Sequence, residues 1–150
     1  MKVRFKFLLI ISALIVAAAA VVYSNPQRTK QALPPALNRL SEARLVEVKD
    51  ANDKVVLTGN LSTTSDTKNE IERTATLAGT GVDPDAKGKA EIELVKKDNG
   101  FAKEELEITV EQLAPAAGFK LYVDGNEVSA FTTSKGGKAS LKFSSRYGKK

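Results

Sequence analysis

After residue 43, apolar and polar residues alternate with a period of two through most of the chain, the pattern of strands that bury one face. Phe119, Leu121 and Val123 alternate with Lys120 and Tyr122; Asp124-Gly125 then supplies two residues tolerant of positive φ, and a β-branched and aromatic run follows over 128–133. This predicts a hairpin. A second turn at Lys135-Gly136-Gly137 leads into Ala139, Leu141 and Phe143, so the spacing predicts a three-stranded meander over 113–143. Upstream, β-rich runs at 44–49 and 54–61 flank the turn cluster Asp50-Ala51-Asn52-Asp53 and predict a first hairpin; a polar loop is expected over 62–69 and a third strand over 71–79. Ala90, Ile92 and Leu94 alternate with Glu91 and Glu93, and Leu106, Ile108 and Val110 with Glu105, Glu107, Thr109 and Glu111. These are two half-buried strands with a carboxylate-rich solvent side. The pattern predicts an all-β fold, an antiparallel β-sandwich of about seven or eight strands over 43–145.

A short internal repeat runs through these strands. Gly88-Lys-Ala-Glu-Ile-Glu-Leu94 and Gly137-Lys-Ala-Ser-Leu-Lys-Phe143 share Gly-Lys-Ala-x-apolar-x-apolar, and the repeat is expected to reflect two similar halves packed face to face.

Residues 1–23 do not follow the period-two pattern. Lys2, Arg4 and Lys6 precede Phe7, and from there to Val22 no charge occurs. A basic flank followed by an apolar run that ends in small residues is the pattern of an export segment. Two readings stand: a signal peptide cleaved near Ala18-Ala19-Ala20 or Val22-Tyr23-Ser24, and an uncleaved anchor helix that uses the membrane as its partner. Either way the positive-inside rule keeps the basic flank in the cytoplasm and sends the rest outside, to the periplasm or cell exterior or tethered to the cytoplasmic membrane. Residues 24–42, with Pro26, Pro34 and Pro35, predict a linker carrying a short helix near 35–41, in which Leu33, Leu37 and Leu40 share a face. Residues 146–150 form a basic tail.

Charge changes the picture only after the appendage is removed. The formal net charge is +5, and setting aside Lys2, Arg4 and Lys6 leaves +2, dispersed among carboxylates. A nucleic-acid partner is not expected, because it calls for a concentrated basic stripe or aromatic platforms. With no histidine and no cysteine, Ser-His triads, thiol nucleophiles and most zinc, copper and haem sites are ruled out. Asp83 and Asp85 invite a calcium reading, but such a loop needs further oxygen ligands and a late bidentate glutamate. No catalytic residue, cofactor or metal site is expected.

The run Leu113-x-Pro115-x-x-Gly118-Phe-x-Leu-Tyr-Val-Asp-Gly125, followed by Phe131-Thr and Gly-Gly-Lys-Ala-x-Leu-x-Phe143, resembles the repeat of largely uncharacterised exported bacterial β-sandwich proteins, loosely similar to chordin-type modules. The resemblance covers about residues 76–143 and implies a secreted or anchored β-sandwich; it carries no catalytic residues, and the histidines of some chordin-type modules are absent here. The expected function is that of a cell-envelope module that contacts another envelope protein or serves a structural role without catalysis. Tyr122 and Lys120, with Phe131 on the next strand, form the candidate interaction face. The alternative is an extracellular carbohydrate-binding module built on Tyr122, Tyr147 and the Ser/Thr-rich run 128–134, although sugar faces stack on aromatics and the chain has three tyrosines and no tryptophan. A reporter active only outside the cytoplasm, fused after Lys150, is expected to be active; an inactive fusion overturns the export reading. The mass of the native protein then separates the cleaved form from the anchored one.

Overall fold

The structure, a computed structural model, describes residues 29–146; the export segment 1–23 and residues 147–150 of the basic tail lie outside the described residues. Ten strands form one mixed sheet: β1 (Thr29–Ala32), β2 (Leu45–Lys49), β3 (Val55–Asn60), β4 (Ser62–Asp66), β5 (Glu70–Gly79), β6 (Lys87–Lys97), β7 (Gly100–Glu111), β8 (Gly118–Val123), β9 (Asn126–Thr132) and β10 (Ala139–Ser144). Their order is β1-β10-β7-β6-β5-β3-β2-β8-β9, with β4 beside β5, and every pair is antiparallel except β1 on β10. No helix among the described residues is long and apolar enough to cross a membrane.

The alternation predicts the inward residues well. Val46, Val48, Leu57, Leu77, Ile92, Leu94, Leu106, Ile108, Leu121 and Phe143 are buried in a single core cluster together with Phe119, Val123 and Leu141. Register explains why they meet: Phe143 lies opposite Leu106, which lies opposite Ile92, while Val48 joins Leu57 on one side to Leu121 on the other. A sheet with one apolar face this wide must curl to keep it from water. The turns act locally as expected. Asp50 Oδ1 accepts hydrogen bonds from Asn52 N (2.8 Å) and Lys54 N (2.9 Å) and closes the β2–β3 hairpin. Asp124 (φ 48°) and Gly125 (φ 80°) both occupy the left-handed region and close β8–β9.

The long-range pairing departs from the expected meander. Among the described residues β9 pairs only with β8, and β10 leaves that hairpin to pair with β7. Lys135-Gly136-Gly137 does form the expected tight turn, closed by Gly137 N donating to Ser134 O (3.0 Å) and Ser134 N to Lys138 O (2.8 Å), but it lies in a crossover between strands that are not neighbours. It runs beside the β7–β8 connection and is laced to it: Leu113 N donates to Gly137 O (3.1 Å), Ala116 N to Ser134 O (3.0 Å) and Thr133 N to Ala117 O (3.0 Å). The buried Thr133 hydroxyl donates to Ala114 O (2.6 Å) and accepts from Ala117 N (3.1 Å). β7–β8 and β9–β10 are thus two arms of one long hairpin bent at a corner. Gly137 holds the inside of that corner at φ 69°, where a Cβ would strike the Leu113 carbonyl.

Three further expectations are corrected. The polar loop over 62–69 contains β4, which follows β3 along the same neighbour, β5, and was hidden because its Ser and Thr side chains are mostly exposed. The two repeat copies are not the cores of two halves. They are β6 and β10, the two neighbours of β7, with Ile92 and Phe143 both opposite Leu106. The linker belongs to the fold from Thr29 onward: β1 pairs with β10, and the chain then crosses the open end of the sheet in two 3₁₀ turns, Pro35–Leu37 and Leu40–Glu42, where a helix was expected. Leu37 and Leu40 are buried, and the two turns reach β9 and β7 respectively. Replacing Phe143 with Ala should cost about 3–5 kcal/mol and Leu40 with Ala about 2–5 kcal/mol in denaturant unfolding, whereas Thr64→Ala on exposed β4 should stay within about 0.5 kcal/mol. A Leu40→Ala protein as stable as wild type would place the crossing segment outside the core.

Candidate functional site

The outward side of β2, β8 and β9 carries most of the predicted interaction face. Tyr122 alternates with buried Leu121 and Val123 and so points outward, directly across from Glu47 on β2 and Glu127 on β9. Its hydroxyl donates to Glu127 Oε2 (3.2 Å), and Lys49 Nζ stands 4.2 Å above the ring. Lys120, one pair along, binds Asp53 Oδ1 at 2.9 Å. Desolvation raises the pKa of Tyr122, with the hydrogen bond to Glu127 adding to it; the hydrogen bond from Lys120 lowers Asp53 and raises Lys120 in return. The result is a half-buried aromatic set among charges of both signs.

Phe131 lies elsewhere. It is opposite Phe119 and on the same side of the sheet, with ring centroids 5.9 Å apart, so it faces away from Tyr122. It meets Lys120 only at the end of the hairpin, where Ala51, Phe119, Lys120, Ala130 and Phe131 border an apolar notch of about 420 Å³. Among the described residues β9 has one strand partner, so its outer edge makes no strand pairing, and the Pro35–Leu37 turn also reaches this strand. Tyr122, Lys120 and Phe131 are near neighbours in the chain, but strand parity separates the first two from the third.

A second polar face covers β5, β6, β7 and β10. Pairing stacks Glu72, Glu93, Glu105 and Ser144 in one row and Thr74, Glu91, Glu107 and Lys142 in the next. Lys103 Nζ bridges Glu93 (2.5 Å) and Glu105 (3.5 Å), and Lys142 Nζ bridges Glu105 (2.5 Å) and Glu107 (3.5 Å). Glu105 is buried, with 9 % of its surface exposed, so the glutamates read as a solubilising face are in part a close ion-pair lattice. The hydrogen bond from Lys103 holds Glu93 below the ordinary glutamate value, and the hydrogen bond to Glu105 raises Lys142. Desolvation, then repulsion from Glu93 and Glu72, pushes Glu70 up. Among the described residues, no three acidic groups are placed to hold a metal ion. Within it, Glu93, Glu105 and Glu107 are engaged by Lys103 and Lys142.

Two residues have tertiary roles that the local pattern does not reveal. Asp124, taken as a turn residue, also accepts hydrogen bonds from Arg44 N (3.0 Å) and Leu45 N (2.8 Å), which ties the hairpin turn to the start of β2. Arg73 lies opposite Ile92, at an inward position of β5 flanked by Ile71 and Ala75. Its parity was the available signal: Ile71, Arg73, Ala75 and Leu77 share one side of the strand. Compared with known protein families, with curated proteins and with solved structures, the chain has no match.

The carboxylate shifts have opposite signs, which makes them testable. Glu93, depressed, contributes stability that is present above its unfolded value, near 4.5, and is lost as pH falls through its folded pKa. Glu70, raised, is disfavoured when ionised; its cost is present at neutral pH and is relieved as pH falls through its raised pKa. Carboxyl-carbon NMR titration should therefore give Glu93 a midpoint below 4.5 and Glu70 one above it, and Lys103→Met should move Glu93 upward. A reversed order of the two midpoints would refute the lattice.

Proposed function

We propose that this chain is an exported or membrane-anchored cell-envelope module that works without catalysis, by contact between its β2–β8–β9 side and another envelope protein. The observation that carries the reading is the free edge of β9 beside the Tyr122 cluster and the Phe131 notch. A strand with one partner leaves a row of backbone donors and acceptors for an incoming segment, and flanking aromatics supply area and selectivity. In this reading the curl amounts to a sandwich, with the β2–β8–β9 part laid over the β6–β7–β10 part, as in the exported proteins that the 113–143 run resembles. Residues 1–23 deliver the domain outside the cytoplasm, and with β1 starting at Thr29 little chain separates it from the membrane if the segment is retained.

The carbohydrate reading has less support. Sugar rings stack on aromatics presented together, whereas here Phe101 is 38 % exposed near the start of β7, Tyr122 lies on one face of β8 and Phe131 is directed to the other side of the sheet. The deciding experiment crosslinks intact cells and purifies the chain from the envelope in parallel with its Tyr122→Ala and Phe143→Ala variants. A specific protein should be captured by wild type and lost with Tyr122→Ala, while melting of that variant stays near wild type. If Tyr122→Ala captures the same protein in the same yield, or unfolds as badly as Phe143→Ala, the face is not the contact.

A further inference from the structure

The segment that crosses the open end of the sheet leaves a cleft of about 590 Å³ between its own backbone, the β8–β9 turn and Arg73. That volume falls within the range, roughly 300–1,000 Å³, of pockets that hold small molecules. Arg73 is the unusual group in it. Its Nη1 donates to Ser41 O (3.0 Å), its Nη2 lies 3.5 Å from Leu61 O, and its buried Nε has no partner among the described residues. A guanidinium carries five N–H donors and a full charge, and two carbonyls satisfy neither. Among the described residues no carboxylate pairs with it.

The other charges around the cleft tilt the same way. Arg39 and Arg44 line it beside Arg73, against two acids, Glu42 and Asp124. Both acids are already engaged: Glu42 by Arg39 at 3.5 Å, and Asp124 by the Arg44 and Leu45 amides. The Arg44 side chain has no acidic partner among the described residues. A half-buried cation at an inward sheet position is costly unless an anion compensates it, and guanidinium forks match planar or tetrahedral oxyanions.

We propose that this cleft binds a small ligand through an oxyanion, a carboxylate or a phosphate, held by Arg73 and Arg44. The site is separate from the β2–β8–β9 contact face and does not depend on that reading. It stands where the crossing segment is pinned to β5, so a bound anion also adds a tie between Arg73 and that segment.

The test is an NMR titration of the full chain with inorganic phosphate and, separately, with glucuronate, at constant ionic strength and with glucose as the neutral control. Saturable shifts are expected at residues 39–44, 73 and 124–126 with at least one anion and not with glucose; the anion that binds more tightly names the ligand's acidic group. Arg73→Gln and Arg44→Gln should each weaken binding about tenfold, the loss expected for one charge-assisted contact. Because Arg73 also holds Ser41, the exposed Arg44→Gln variant, whose fold is checked by its melting curve, decides the matter. The absence of saturable shifts with both anions overturns the proposal. So does equal binding of glucose and glucuronate when phosphate gives no saturable shift, or affinity unchanged by Arg44→Gln.

Discussion

A ten-stranded sheet with a single apolar face can keep that face dry only by curling, and in this chain the curl turns on one corner, where residues 112–117 and 133–138 run side by side. The corner carries β7 and β10 on one side and β8 and β9 on the other, so strands at opposite ends of the pairing order belong to the same bent hairpin. Thr133 is the pivot: its hydroxyl and its amide both bond into the facing loop, and it is buried. A buried hydroxyl without those partners would cost on the order of 1–3 kcal/mol, so this threonine belongs to the corner and not to solvent. Gly137 completes the turn because its backbone lies against Leu113 where no side chain fits.

The N-terminal crossing depends on that corner. Once the sheet is curled, residues 35–42 cross its end beside Arg73 and the β8–β9 turn, and Leu37 and Leu40 join the core cluster there. Two short 3₁₀ turns suit this task better than a regular helix, because each places one leucine inward and then redirects the chain. Arg73 and Asp124 fasten the crossing at two points, one through its guanidinium and the other through its carboxylate. The same fastening creates the arginine-lined cleft, so the proposed anion site is a consequence of how the end of the sheet is closed.

The two outward faces divide the polar chemistry. On β6, β7 and β10, Lys103 and Lys142 bridge Glu93, Glu105 and Glu107 in a lattice whose members are half-buried by their own neighbours. On β2, β8 and β9 an aromatic ring sits among the charges and a free strand edge runs beside it. Contact surfaces favour aromatics over lysine and glutamate, which is why the proposed contact lies on the β2–β8–β9 face.

The sequence by itself determined the all-β class, the positions of most strands, the two hairpins closed by Asp50 and by Asp124-Gly125, and the inward parity of nearly every core residue. These are local properties: a side chain's facing follows from its neighbours two residues away, and a tight turn follows from residues adjacent in the chain. Only the tertiary structure decided that β10 pairs with β7 and not with β9, that Ser62–Asp66 is a strand, that Thr29–Ala32 joins the sheet, and that Phe131 turns away from Tyr122. Strand partners are chosen by which edges stay unpaired after the sheet has curled, and an exposed Ser/Thr strand or a short edge strand buries too little to leave an apolar pattern. Arg73 shows both limits at once. Its inward parity could be read from β5, but the cleft it faces exists only because residues 36–44 and 123–126 are brought over it from distant parts of the chain.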